Sequence, residues 1–259
     1  MTLKTIMLAL VAGLAIGLPG ANAAEVRVLS AGAVEPGLRP VLAEFEKTTG
    51  HTITLGFAAA PQIRERGKAG AAFDLVIAPP GVLDELESAG RIDPDRAQRV
   101  SLGRVGVGVA VRPGATLPDI SSREAFARLM READSVVFNR ASTGLYVETL
   151  LRGLGIDVQG RATRFPDGAS VMAHVLQSQH AGREIGLGAT TEILLLRDKG
   201  LQFVGPLPPE LQNFTTYVAA AANAVPGGDA AEAARALLRA LASAASRATF
   251  AGAGIDPSP

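Results

Sequence analysis

Four short stretches place small residues beside hydroxyl or amide side chains where an apolar run gives way to a helical pattern. They are Ala31-Gly32-Ala33, Ala58-Ala59-Ala60, Asn139-Arg140-Ala141-Ser142-Thr143-Gly144 and Gly188-Ala189-Thr190-Thr191. Residues of these types suit the binding of an anion. Small side chains let a ligand reach the backbone, hydroxyls add donors, and the free N–H groups and dipole of a helix start converge on one spot. Ordinary N-capping accounts for any one junction, since Ser142 and Thr190 are good caps. As a set they carry more, because ligands of open α/β sheets lie outside the carboxyl ends of the strands, where all four fall.

Other chemistry is sparse. His51, His174 and His180 have no acidic neighbours at metal-ligand spacing. There is no G-x-S-x-G elbow, and Gly106-x-Gly108 lies inside a strand pattern with no helix opening after it, the wrong context for a phosphate loop. The chain has no cysteine, which excludes a disulfide framework and a lipidated N-terminal Cys. No acid–base pair can be nominated, so neither catalysis nor a bound metal or cofactor is expected.

The elements that must position these junctions alternate. Glu25–Thr49 reads as a strand around Val26 and Val28, a small-residue turn, and a helix carrying Val34, Leu38, Val41, Leu42 and Phe45, with Pro36 in its first turn and Gly50 as its stop. Strands follow at 52–57 and 73–78, separated by a short polar helix at 61–68, and Val82, Leu83 and Leu86 mark another helix. The run 104–111 alternates as a long strand. Ser121-x-x-Glu124 forms a capping box before Phe126, Leu129 and Met130. A strand at 136–138 leads to a helix capped by Ser142, and Val171 to Leu176 marks the next helix. The remaining pattern gives strands at 184–188, 201–204 and 214–222, a helix at 190–199, and one alanine-rich helix from Asp229 to about Phe250. Alternating strands and helices imply an α/β fold with mainly parallel sheets.

Lys4, the apolar run Ile6 to Leu18 and Ala21-Asn22-Ala23 have the form of a secretion signal, with cleavage expected after Ala23. That apolar run is too short for a membrane span and no longer one follows. The 25 Lys and Arg balance 25 Asp and Glu, and removal of Lys4 leaves the mature chain near −1. That balance argues against nucleic acid or an anionic membrane as the partner, since both need a basic surface. At 47% hydrophobic residues the chain can build substantial cores.

The chain resembles the periplasmic molybdate-binding proteins and the wider type II solute-binding proteins of ABC importers. The resemblance rests on VLSAGAVEPGLRPVLAEFEKTTG, FAAAPQIRERGKAGAAFDLVIAPP, NRASTGLYVETLLRGLGI, EIGLGATTEILLL and FVGPLPPELQNFTTYVAAAAN. It implies two α/β lobes joined by two crossover strands, the first at 24–104 plus 217–259 and the second at 105–216. A solute would sit between them, and a closed, monomeric periplasmic protein would deliver it to an ABC permease. The positions matching the family's site are Ala33, Val34, Ala59, Ala60 and Gln62 in the first lobe. In the second they are Asn139, Arg140, Ser142, Thr143, Tyr146, Ala189 and Thr190.

The site departs from that of the molybdate binders at three turns. Ala33 replaces a serine of the first turn, Ala58-Ala59-Ala60 replaces a serine run, and Ala189 replaces a tyrosine. Each lost charge-assisted hydrogen bond costs on the order of 1.5–3 kcal/mol, so a molybdate-type oxyanion, still open because backbone N–H donors remain, would be held weakly. An apolar wall facing a polar one suits a small organic acid, with Arg140 able to pair with a carboxylate. Glu35 is expected to complement its helix dipole rather than meet the ligand. An effector-sensing domain or a secreted enzyme on the same fold are the other classes open. The export signal argues against the first, and the second requires a cleft acid–base pair with perturbed pKa values.

Overall fold

The computed structural model describes residues 23–180, 183–223 and 228–258. The expected signal sequence and its cleavage site therefore lie outside the described residues, apart from Ala23. Along the chain, β1 (Glu25–Ala31), α1 (Glu35–Thr49), β2 (Thr52–Ala58), α2 (Ala60–Lys68), β3 (Leu75–Ala78) and α3 (Pro80–Ser88) form a first alternating block. The long β4 (Val100–Val111) leads to α4 (Arg123–Glu132), β5 (Ser135–Asn139), α5 (Ser142–Gly153), β6 (Ala162–Phe165) and α6 (Gly168–Gln177). Then come β7 (Glu184–Ala189), the single-turn α7 (Thr190–Leu194), β8 (Gln202–Pro206), β9 (Phe214–Ala221), α8 (Asp229–Leu241) and α9 (Ala244–Gly252).

The described strands make one sheet in the order β2-β1-β3-β9-β4-β7-β5-β6, with β8 also pairing to β4. Strands joined by helices pair in parallel: β1 with β2 and β3, β5 with β6 and β7. The antiparallel pairs all involve β4 or β9. Val100 to Gly106 of β4 lies against β9, whereas Val107 to Val111 lies against β7 and β8, so one strand serves both halves of the sheet. Where its partner changes, the Gln212 side chain stands in for a strand: Oε1 accepts from the Val107 N–H at 2.7 Å and Nε2 donates to the Val107 carbonyl at 3.0 Å. Gln212 thereby keeps β4's ladder satisfied at the crossover, as a buried backbone requires.

Alternation in the strands sets the cores. In β5, Val136 and Phe138 join one apolar cluster with Phe126, Met130 and Leu151, while Val137 joins another with Val171, Met172 and Val175 on the opposite face. The first half of the sheet packs Val26, Val28, Leu75 and Ile77 against Leu38, Leu237 and Phe250.

Most differences from the sequence reading lie at element ends. The cap of α4 is Ser122, not Ser121, with its Oγ accepting from the Ala125 N–H at 3.1 Å. The predicted helix 190–199 is α7 followed by a separate turn at Arg197–Lys199, and the predicted C-terminal helix is two, because Ser243 caps a new start. The short exposed β6, with its Arg164 and Thr163 to solvent, has too little apolar content to have been recognised.

Candidate functional site

The carboxyl ends of β1, β2 and β5 and the start of α6 open on one cleft of about 330 Å³. Four larger hollows, of about 650, 520, 480 and 420 Å³, lie elsewhere on the described surface and share no lining residue with this cleft.

One wall is apolar. After β1 the chain makes a single turn, Gly32–Val34, into α1, and after β2 it passes through Ala59 into α2. Ala33, Ala59 and Ala60 line this wall, each under 9% exposed. Ala59 offers no side chain to cap α2; Gln62 instead reaches back, its Oε1 accepting from the Ala59 N–H at 3.3 Å. One turn along the same helix, Arg66 also lines the cleft, and among the described residues it pairs with no carboxylate. The i, i+4 spacing of Gln62 and Arg66 puts both on one face, a signal that was present in the sequence.

The facing wall is polar. Asn139 ends β5 and is almost fully buried, its Oδ1 accepting from the N–H groups of Ala141 and Gly144 at 3.0 and 2.9 Å. It does the work that the sequence assigned to Ser142: Ala141 is the N-cap position of α5 and supplies no side-chain bond. Gly144 is required here, since a Cβ would sit 1.7 Å from the Asn139 carbonyl oxygen. Ser142 and Thr143 are thus left to line the cleft, their hydroxyls without a partner among the described residues, although Thr143 is only 7% exposed. Asp167 caps α6 by accepting from the Ser170 N–H at 2.8 Å.

The two walls meet at α7. The Thr191 hydroxyl, fully buried, donates to the Ala33 carbonyl at 2.6 Å and pins α7 to the first turn. That contact seats the next side chain, Glu192, between the two walls. A Cβ on Gly168 would lie 1.8 Å from Glu192 Oε2, and one on Gly32 would lie 3.4 Å from Oε1, so the carboxyl occupies space that only glycine at 168 leaves open. Burial, with Asp167 and Glu35 as like-charged neighbours, pushes Glu192 up to about 7, against a hydrogen bond from the Ala189 backbone that favours the ionised form. Tyr217 of β9 completes the floor, and burial together with Glu192 raises its hydroxyl well above the usual phenol value, keeping it neutral. Glu35 lines the cleft but is engaged by Arg39 at 2.6 Å, and Arg39 in turn lies over the Phe57 ring.

Of the twelve positions named from sequence, Ala33, Ala59, Ala60, Gln62, Asn139, Ser142 and Thr143 line the cleft. Five do not. Val34 is fully buried in the first core, and Arg140 is exposed outside the lining. The Tyr146 hydroxyl donates to the Leu211 carbonyl at 2.7 Å, away from the cleft. Ala189 packs in the core, and the Thr190 methyl faces Gly108 of β4. Each was named because it adjoins a junction, but backbone direction turns it inward or away. Conversely, Arg66, Asp167, Glu192 and Tyr217 line the cleft without having been named, and Glu35 lines it although the sequence reading assigned it only a dipole role. Glu192 and Tyr217 are the two titratable groups of this cleft whose proton affinity burial raises, and the sequence marked neither.

Comparison with known proteins agrees with this layout. The family described as bacterial extracellular solute-binding protein matches residues 26–256. The chain is 31% identical over 242 residues to an aconitate isomerase of a Pseudomonas species, an alignment covering 90% of this chain and 87% of that protein. Among solved structures, the periplasmic molybdate-binding protein of Azotobacter vinelandii superposes with a TM-score of 0.72 at 14% identity, covering 90% of this chain and all of that one. The sulfate-binding protein SubI of Mycobacterium tuberculosis gives a TM-score of 0.69 at 18% identity, covering 90% and 87%. At such identities the likeness to these structures is one of fold.

Proposed function

Because this chain belongs to the bacterial extracellular solute-binding proteins, we propose that its cleft holds a small organic acid with more than one carboxylate, an acid of the aconitate type. The reading is carried by one observation: two helix starts with alanine at the cap position, Ala59 and Ala141, open on the same cavity beside the unpaired Arg66, Ser142 and Thr143, and Asn139 takes up only the Gly144 N–H of the first turn of α5. Uncapped N–H groups and an unpaired guanidinium are donors waiting for an acceptor, and separate donor sets on two walls suit a ligand with an anionic group at each end. The alanine wall removes the hydroxyls that would wrap a tetrahedral oxyanion and leaves room for carbon. The 31% identity to an aconitate isomerase supports the same ligand class.

In this reading residues 1–23 direct export to the periplasm. The halves 24–104 with 217–259, and 105–216, act as lobes closing on the solute. The loaded monomer passes it to an ABC permease. Among the described residues no helix is long and apolar enough to cross a membrane. A second reading, an isomerase acting on the bound acid, is favoured by the carboxyl of Glu192 held near neutrality inside the cleft.

A thermal-melt screen of the purified protein tests the ligand class. cis- and trans-Aconitate and citrate are compared with molybdate, tungstate, sulfate and an aliphatic amine. Saturation at a thousand times the dissociation constant adds about 4 kcal/mol, a midpoint shift of roughly 8–16 °C for a protein of this size. Such a shift with a tricarboxylate and none with molybdate supports the reading. A shift with molybdate, or with the amine alone, overturns it.

A further inference from the structure

Three carboxylates face the cleft, and the structure gives two of them other work. Glu35 is bound by Arg39, and Asp167 holds the start of α6. Among the described residues Glu192 has only the Ala189 backbone to answer it, and it stands where Gly168 leaves the space for it. It is the titratable group of the cavity that the binding of an anion does not need. An ionised carboxyl at the floor of a site for negative ligands repels them, whereas the same carboxyl close to neutrality can hold a proton for the ligand and take it back. A second feature points the same way: Thr143, more than nine-tenths buried and with no hydroxyl partner among the described residues, lines the same cavity, which is thereby equipped to hold a molecule.

We propose that Glu192 is the catalytic proton carrier of the cleft, moving a proton between the two carbons on either side of the central alkene carbon of an unsaturated polycarboxylate. The inference rests on the reading of the cleft as a carboxylate site. The ionised carboxylate takes a proton from the saturated carbon that lies next to both a carboxylate and the double bond. The pair from that C–H bond becomes the new C=C bond. The old π pair moves to the far alkene carbon, which takes the proton back from the Glu192 carboxylic acid. One proton leaves and one returns, the carboxylate is regenerated, and nothing is oxidised or reduced. The double bond changes place, and with it the cis or trans arrangement of the carboxylates.

The surroundings fit the two halves of that cycle. Charge developing beside the deprotonated carbon falls on a substrate carboxylate, which the first-turn N–H groups of α2 and of α5 at Ser142 and Thr143, together with the Arg66 guanidinium, are placed to receive. Tyr217, kept as a neutral phenol, donates rather than competes for the proton. The groups facing Glu192 are Asp167 from α6, Glu35 from α1 and Tyr217 from β9, and burial first, then the two carboxylates, hold its affinity for a proton high enough to accept one at neutral pH.

The test is proton NMR of cis-aconitate incubated with the purified protein in D₂O, run beside the thermal melt. Expected is loss of the methylene signal to deuterium together with appearance of the trans isomer. Glu192→Gln should keep the melt shift and lose the exchange by about a hundredfold or more. Glu192→Asp should retain a slowed exchange. The wild-type rate should climb with pH as Glu192 ionises and then level off, a profile that a merely structural role would not produce. A melt shift with no exchange in the wild type, exchange at full rate in Glu192→Gln, or a pH-independent rate each overturns the proposal and leaves the binding site standing. No melt shift with any tricarboxylate overturns the binding reading underneath it.

Discussion

The starts of α4 and α7 are built from the same plan and put to opposite ends. In α4 Ser122 caps the helix, its Oγ 3.1 Å from the Ala125 N–H, and Glu124 sits exposed in the first turn. In α7 the cap position is Ala189, which bonds nothing through its side chain, and the first-turn acid, Glu192, is enclosed with two other carboxylates. The surface helix spends its side chains on its own termini, as stability demands. Around the cleft the chain omits those side chains at Ala59, Ala141 and Ala189 and tolerates an acid that burial drives to about 7. Local stability is given up where a ligand is to be met.

The largest expected effect tests the cost of Glu192. Its folded pKa of about 7 lies above the ordinary 4.5, so between those values the folded protein holds a proton that the unfolded chain has released. Stability therefore falls as pH rises through that window, by about 3 kcal/mol at most. Glu192→Gln removes the penalty. The variant should match the wild type at pH 4 and exceed it at pH 8, where each kcal/mol raises the melting midpoint by roughly 2–4 °C. Glu124→Gln at the α4 start should show no such pH-dependent gain. Equal behaviour of the two variants in melts across pH would erase the contrast between the helix starts.

Arg66 sharpens the same contrast on the binding side. It is exposed at the cleft and pairs with no carboxylate among the described residues, whereas Arg128 on α4 lies 3.7 Å from Asp119. Arg66→Ala should weaken tricarboxylate binding roughly ten- to hundredfold, the worth of one charged hydrogen-bonding partner, and leave the unliganded melt unchanged. Arg128→Ala should leave affinity alone. Calorimetric titration with citrate or trans-aconitate reads both, and unchanged affinity in Arg66→Ala removes that residue from the site.

The strand–helix rhythm was legible because it is written in apolar spacing: Val26 and Val28 for β1, Leu38 to Phe45 for α1, and the alternation of β4 that proved to run through both halves of the sheet. The small-residue junctions were legible for the same reason, and seven of the twelve residues read from them line the cleft. What escaped was direction. Tyr146 and Thr190 stand beside the right junctions but point elsewhere, because a helix turns each successive side chain by about 100° and a sequence gives no absolute phase for a polar face. Glu192 and Tyr217 escaped because the property that marks them is acquired only on folding. A glutamate in the first turn of a helix reads as a dipole partner until the glycines at 32 and 168 and the carboxylates at 35 and 167 are brought around it.

The smallest effect is the sharpest test of the idea that the cleft's helix starts are left bare for a ligand. Ala59→Ser restores to α2 the cap that α4 already has. By the ordinary rule it should stabilise the unliganded protein by up to about 1 kcal/mol, a gain reduced because Gln62 already reaches back to the Ala59 N–H. The new hydroxyl would accept from an N–H of the first turn, where Ala60 and Gln62 carry those groups and Pro61 has none. A ligand that uses those donors must then displace the serine, so the melt shift given by a tricarboxylate should shrink even as the unliganded midpoint rises. Opposite movement of the two numbers would identify the start of α2 as part of the site. If the liganded and unliganded midpoints rise together, the donors of α2 are not used, and Ala59 is bare for reasons of packing against the neighbouring wall rather than for binding.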